Sequence, residues 1–172
     1  VPVFATTVKD PTGGGDAFRA GLIRGMVAAG AKHIVVANVY DLAATPYGKA
    51  TGKGTGLARA FNDALKSELQ NPSKPYISDN VYLIDTEKYM INASSLTTQY
   101  GFTDATSFVC TLTDSNLGIG LDVNSKLCTT ANVGASYTTS YNSYIFADKI
   151  YPTPAFHRGF GNFAYGFIST RW

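Results

Sequence analysis

The run His33-Ile34-Val35-Val36-Ala37-Asn38-Val39 constrains the fold more than any other stretch of the chain. It is short, rich in β-branched residues and almost wholly apolar, which is the make-up of a central strand in a parallel sheet covered on both faces. The segments around it are spaced as helices. Phe18, Leu22 and Met26, with Ile23 and Val27 beside them, recur at helical intervals up to Gly30, and Leu57, Phe61, Leu65 and Leu69 do so up to Asn71-Pro72. A second strand-like run, Val81-Tyr82-Leu83-Ile84, comes next, then a short helical stretch from Thr86 to Ile91. A last helix has Phe156, Phe160, Phe163 and Phe167 on its inner face. This alternation is the rhythm of a three-layer α/β/α sandwich of flavodoxin-like character, and it predicts that the two apolar runs are parallel. Such a sheet usually has about five strands, so the domain reads as incomplete, with its first strands upstream of Val1 or on another chain. Ala43 to Gly56, with Pro46 and four glycines, reads as a loop, and Ser94 to Tyr144 as a long irregular stretch.

The length, 172 residues with 45% apolar, suits a single domain with a sizeable core, spanning residues 1–172. With 14 Lys and Arg against 12 Asp and Glu, the charge is too even for a protein built to grip nucleic acid or anionic lipid, and both partners are discarded. No apolar stretch reaches the roughly eighteen residues of a membrane span. The chain starts Val1-Pro2-Val3-Phe4, without a methionine or a signal-like segment, and so reads as a processed chain or a fragment. Its two cysteines, Cys110 and Cys128, flank a segment rich in Gly, Asn, Asp and Ser, and a disulfide is the expected state. The alternative is two unrelated buried thiols. A bridge would contribute roughly 3 kcal/mol on the chain-entropy estimate. It would also place the protein outside the cytoplasm, in the periplasm, on the cell surface or secreted. The only histidines, His33 and His157, are far apart, and there is no C-x-x-C pair, so no metal site is expected.

The glycines from Gly48 to Gly56 lie between a strand and a helix and invite a phosphate-loop reading, but Lys53 is followed by Gly54 where Ser or Thr is required. Asp41 and Asp85 each follow the carboxyl end of a strand, where open α/β sheets place ligands, though a cap is an equally common use of such a residue.

Three segments carry a resemblance. One runs Ala29-Gly30-Ala31-Lys32-His33 through the strand to Asn38, Asp41 and Thr45-Pro46, and a second is Tyr100-Gly101-Phe102-Thr103-Asp104. The third is Ala147-Asp148-Lys149-Ile150-Tyr151-Pro152-Thr153-Pro154-Ala155-Phe156-His157. In this order, with the Asn-bearing helix at Phe61-Asn62-Asp63 and the two cysteines between, the chain resembles the SGNH (GDSL-type) hydrolases. These are an esterase and lipase superfamily found among secreted and surface-anchored bacterial enzymes. The resemblance implies a serine ester hydrolase without a cofactor, with a Ser-His-Asp triad and an oxyanion hole shared by a serine, a glycine and an asparagine.

On that resemblance Asp148 is the acid and position 151 the base. Position 151 is Tyr, and tyrosine, with a reference pKa near 10, is a poor general base at neutral pH. His157, six residues on, is the remaining candidate, because His33 precedes its strand and lies at the wrong end of the sheet. The family's Gly-Asp-Ser and oxyanion-asparagine blocks do not occur in the 172 residues, so the chain resembles a C-terminal half. The nucleophile is then expected from an N-terminal segment, or from the other half of the same precursor acting as a second chain, with an ester or lipid as substrate. The alternative is an inactive relative that binds acyl groups, lipid or protein. The disulfide loop, with Asn116, Gly118, Gly120 and Asn124, is expected to flank the substrate groove.

Overall fold

A computed structural model describes residues 22–23, 25–70, 81–116, 121–129 and 141–172. Phe18, Gly118 and Gly120 lie outside the described residues. Helical residues 22–23 and 25–28 (α1) end at Gly30, whose φ of 89° is the left-handed conformation that closes a helix without a Cβ penalty. Strand β1 (Ile34–Ala37) follows and pairs in parallel with β2 (Val81–Ile84), with Ile34 opposite Val81 and Ala37 opposite Ile84. The predicted parallel pairing is therefore observed, and the chain is α/β.

Between these strands the expected loop contains a helix, α2 (Pro46–Thr51). The sequence carries its cause. Thr45 is fully buried, and its hydroxyl donates to Leu42 O at 2.7 Å while accepting from Gly48 N at 3.1 Å. Pro46 occupies the first helical position, where its missing N–H costs nothing, and Gly52 ends the helix in the left-handed conformation. Gly48 is required by contact, since a Cβ there would collide with the Leu42 carbonyl and the Ala43 backbone. Helix α3 (Leu57–Leu69) then crosses to β2. Its inward stripe runs through buried Ala58 and Asn62 and half-buried Leu65 and Leu69, whereas Leu57, expected on that face, is exposed because it opens the helix one position out of phase.

After β2, α4 (Thr86–Ser95) carries Tyr89, Met90 and Ala93 into the core. The stretch from Ser94 to Tyr144 is less irregular than its composition suggests. It contains β3 (Asp104–Phe108) and the short antiparallel pair β4 (Thr113–Asp114) and β5 (Asp122–Val123). Strand β6 (Tyr144–Phe146) pairs in parallel with β3 across an irregularity in which five residues of one face three of the other. The chain closes with α5 (Pro154–Arg171).

The core forms where α4 and α5 meet β6. Tyr89, Met90, Ala93, Phe102, Ile145, Phe146 and Phe156 form one buried cluster. The Tyr89 ring lies 5.1 Å from that of Phe156, 5.5 Å from Phe160 and 5.0 Å from Phe163, with the first two edge to face. Each such pair adds about 0.5 to 1.5 kcal/mol beyond the area it buries. Phe160 and Phe163 are half-buried on this face as expected, but Phe167 is exposed, with ring contacts to Phe163 and Tyr82 among the described residues.

The expected burial of the first strand also fails within the described chain. β1 is not covered on both faces: Ile34 is buried, but Val35 is 44% exposed and Val39, just beyond the strand, 40%. No described element lies over that side.

Candidate functional site

The carboxyl ends of β6 and β3, which pair in parallel, and the chain beyond β1 of the other parallel pair converge on one turn, Asp148 to Tyr151. It follows β6 directly, and Ala147 O accepts from Cys110 N at 2.8 Å, just past the end of β3. From beyond β1, the Tyr40 hydroxyl donates to Ile150 O at 3.0 Å and Tyr47 N donates to Lys149 O at 2.8 Å. The turn closes on itself through Ala147 N and Tyr151 O at 2.8 Å. It is set in place from below by Thr153, which caps α5 by accepting from Phe156 N at 3.3 Å and donates its hydroxyl to Tyr144 O at 2.8 Å.

Asp148, 5% exposed, is the organising group. Its Oδ1 accepts from Ile150 N at 2.9 Å and Tyr151 N at 2.7 Å, and its Oδ2 accepts from Ser125 N at 3.0 Å. A buried carboxylate is tolerable only with such donors. The third bond joins the turn to the disulfide loop, which the Lys149 to Asp122 ion pair also holds at 2.6 Å. Burial, with Tyr151 and Asp148 nearby as smaller causes, pushes the Tyr40 phenol up to about 12. Tyr40 is therefore a neutral donor throughout the physiological range.

Cys110 and Cys128 are joined in a disulfide with their Cα atoms 6.0 Å apart. Cys110 is fully buried, and its bridge fixes the 3₁₀ turn Ser125–Leu127 beside the Asp148 carboxylate. Within the loop Asn124 Nδ2 donates to Asp114 Oδ2 at 3.1 Å, Asn124 Oδ1 accepts from Lys126 N at 3.0 Å, and Asp114 Oδ1 accepts from Asn116 N at 2.8 Å. The bond from Asn116 N, then that from the Asn124 amide, holds the Asp114 carboxyl below its ordinary range.

Tyr151, where the resemblance expects the base, projects outward, 60% exposed, from the turn that Asp148 organises. His157 sits in the first turn of α5, exposed, with its ring against Phe156 at 6.2 Å. It borders a cavity of about 370 Å³ that it shares with Val109, Ser125, Cys128, Tyr141 and Pro154. Among the described residues the Asp148 carboxylate receives only backbone donors and no hydrogen bond from His157. His33 lies before β1, 4.5 Å from the Trp172 ring and at the opposite end of the strand from this turn. Asp41 and Asp85 are caps, accepting from Ala43 N at 3.0 Å and Lys88 N at 2.9 Å respectively.

Sequence reasoning missed the polar struts behind the site. Asn38 Oδ1 accepts from Thr86 N at 2.6 Å while its Nδ2 donates to Asp85 Oδ1 at 2.9 Å, so the end of β1 caps α4. Asn62 pairs with both backbone groups of Val39, at 3.0 and 2.7 Å, and with Glu87 at 2.8 Å. The signal was a polar amide on an otherwise apolar strand and on an apolar helix face. Among the described residues no group of His, Cys, Asp and Glu is arranged to hold a metal ion, and no helix is long and apolar enough to cross a membrane. No protein-family model matches the chain, and no curated protein matches it.

Proposed function

We propose that the chain is the C-terminal part of a serine ester hydrolase of the SGNH type and contributes the acid turn of its site. The observation that carries this reading is the position of Asp148. It is buried, fixed by three N–H donors, and set at the carboxyl ends of the parallel strands, where α/β sheets assemble their sites. The nucleophile serine and the oxyanion donors come from an N-terminal segment or a companion chain. Its strands would pair with the edge of the β1–β2 sheet and its helices would cover the exposed Val35 and Val39, completing a three-layer sandwich. Asp148 acts as the acid and His157 as the base, with an ester or lipid as substrate and no metal or cofactor. The disulfide supports a location outside the cytoplasm, and the resemblance a bacterial source.

A second reading is an inactive relative that binds acyl groups, lipid or protein. It is favoured by the saturation of Asp148 with backbone donors and by a tyrosine where the base is expected.

The two readings separate in an assay of the assembled domain against p-nitrophenyl esters of increasing acyl length. The hydrolase reading expects weak turnover that falls at least about a hundredfold in His157→Ala, the scale of a lost general base, and rises in Tyr151→His. Full turnover in His157→Ala, or no change in Tyr151→His, removes these residues from the triad. Acyl binding without turnover establishes the second reading.

A further inference from the structure

Beside Tyr151, between the β4–β5 pair and the Ser125–Leu127 turn, lies a shallow cavity of about 680 Å³ whose lining is unusual. One wall is apolar, made of Leu127 and the exposed Tyr151 ring. The rim is polar: Asp114, Asn116, Ser125 and Lys126. Part of that rim's hydrogen-bonding capacity is unused among the described residues. The Ser125 hydroxyl, the Lys126 ammonium and the Tyr151 hydroxyl form no hydrogen bond with any described residue, although their backbone N–H groups are engaged at Asp148 and Asn124. The Asp114 carboxylate is held by the Asn116 backbone N–H, by the Asn124 amide and by the Asn116 side chain, with the Lys126 charge nearby. The walls are also rigid. The Cys110–Cys128 bridge, the Ser125 to Asp148 bond and the Lys149 to Asp122 ion pair tie them to the core before any ligand arrives, which lowers the ordering cost of binding.

An aromatic face opposite a rim of amide, hydroxyl, ammonium and carboxylate matches a ligand with one apolar C–H face and an edge of hydroxyls. An acyl chain would strand these polar groups without partners, and an anionic headgroup would meet the Asp114 carboxylate. We propose that this cavity is a saccharide-binding subsite, in which the Tyr151 ring lies under a pyranose and Asn116, Ser125, Lys126 and Asp114 bond its hydroxyls. Binding itself stands independently of any catalysis. Where the hydrolase reading also holds, the substrate class that follows from it is an O-acylated saccharide, with the sugar seated beside the Asp148 turn.

The test is titration of the ¹⁵N-labelled protein, residues 1–172 together with any segment or chain that travels with them, with xylobiose, cellobiose and N,N′-diacetylchitobiose, followed by amide chemical shifts. At least one sugar is expected to shift the Asn116, Ser125, Lys126 and Tyr151 amides saturably, with a dissociation constant in the millimolar range, on the order of 1 to 10 mM. Tyr151→Ala should weaken it roughly tenfold or more and Asn116→Ala about threefold, while Tyr151→Phe retains it. Asn116 is an exposed loop residue, so its variant reports on binding even where Tyr151→Ala disturbs the turn. The proposal is overturned by the absence of saturable shifts at about 50 mM of every sugar. It is equally overturned by unchanged affinity in both alanine variants, or by dihexanoylphosphatidylcholine moving the same amides where the sugars do not. Sugar binding by a domain that turns over no ester leaves this proposal standing and removes the hydrolase reading; ester turnover without sugar binding does the reverse.

Discussion

Tyr40 leaves the end of β1 and donates its phenolic hydrogen to Ile150 O, so one side chain joins the strand to the turn that holds Asp148. Its pKa, raised from 10.0 to about 12 chiefly by burial, sets a pH dependence whose sign is definite. The neutral form is the one favoured in the folded protein. Its contribution is complete below the unfolded value of 10.0 and is lost as pH climbs through about 12. A spectrophotometric titration of the phenols should therefore show one tyrosine ionising near 12 that disappears in Tyr40→Phe, and the same variant should flatten the loss of stability over that interval. At neutral pH Tyr40→Phe should cost about 1 kcal/mol, the net value of one hydrogen bond. Thr153 offers a second test at this scale. Thr153→Ala removes both the N-cap of α5 and the bond to Tyr144 O, and denaturant unfolding should report a loss of about 1 to 2 kcal/mol, with Thr153→Ser restoring most of it. An unchanged midpoint in Thr153→Ala would mean that α5 is anchored by Phe156 and its neighbours alone.

At the scale of elements, legibility in the sequence followed periodicity. The two apolar runs were visible because each has little polar content and clear breakers on either side, and their parallel pairing followed from the helices between them. β3 was not visible, because Asp104, Thr106 and Ser107 give it the look of a loop, and its hydrogen bonds to β6 come from a partner about forty residues away. α2 was hidden by its glycines, although the sequence held its start signal: Thr45-Pro46 is the same cap-and-proline pair as Thr153-Pro154, and both open helices. The site was partly legible. The disulfide and the position of Asp148 in a turn before the last helix could be read from the order of residues. That the Asp148 carboxylate is filled by Ser125, Ile150 and Tyr151 N–H groups could not, because backbone donors leave no mark in side-chain patterns. The disulfide loop makes the prediction for this scale. Cys110→Ser with Cys128→Ser should lose roughly 3 kcal/mol of stability by the chain-entropy estimate. Because Ser125 N is the donor to Asp148 Oδ2, hydrogen exchange should rise at Ser125 as well as within the loop. Exchange that rises in the loop but not at Ser125 would show that the turn holds Asp148 without help from the bridge.

For the whole molecule, the parts fit together unevenly. α4, α5, β3 and β6 enclose a closed aromatic core, whereas β1 offers Val35 and Val39 to solvent beside an edge that no described strand pairs with, and α1 leaves Leu22 and Met26 exposed close by in sequence. Exposed β-branched residues on a strand edge are an aggregation hazard unless something covers them. Under the hydrolase proposal that cover is the half of the domain that also brings the nucleophile. Treatment of the protein, isolated from its own source, with a fluorophosphonate ester followed by native and intact mass analysis tests this most directly. The predicted result is a single adduct on a serine that lies outside residues 1–172, on a polypeptide segment that travels with them. A soluble monomer of 18.3 kDa that takes up no adduct, or an adduct that maps within these 172 residues, would contradict it.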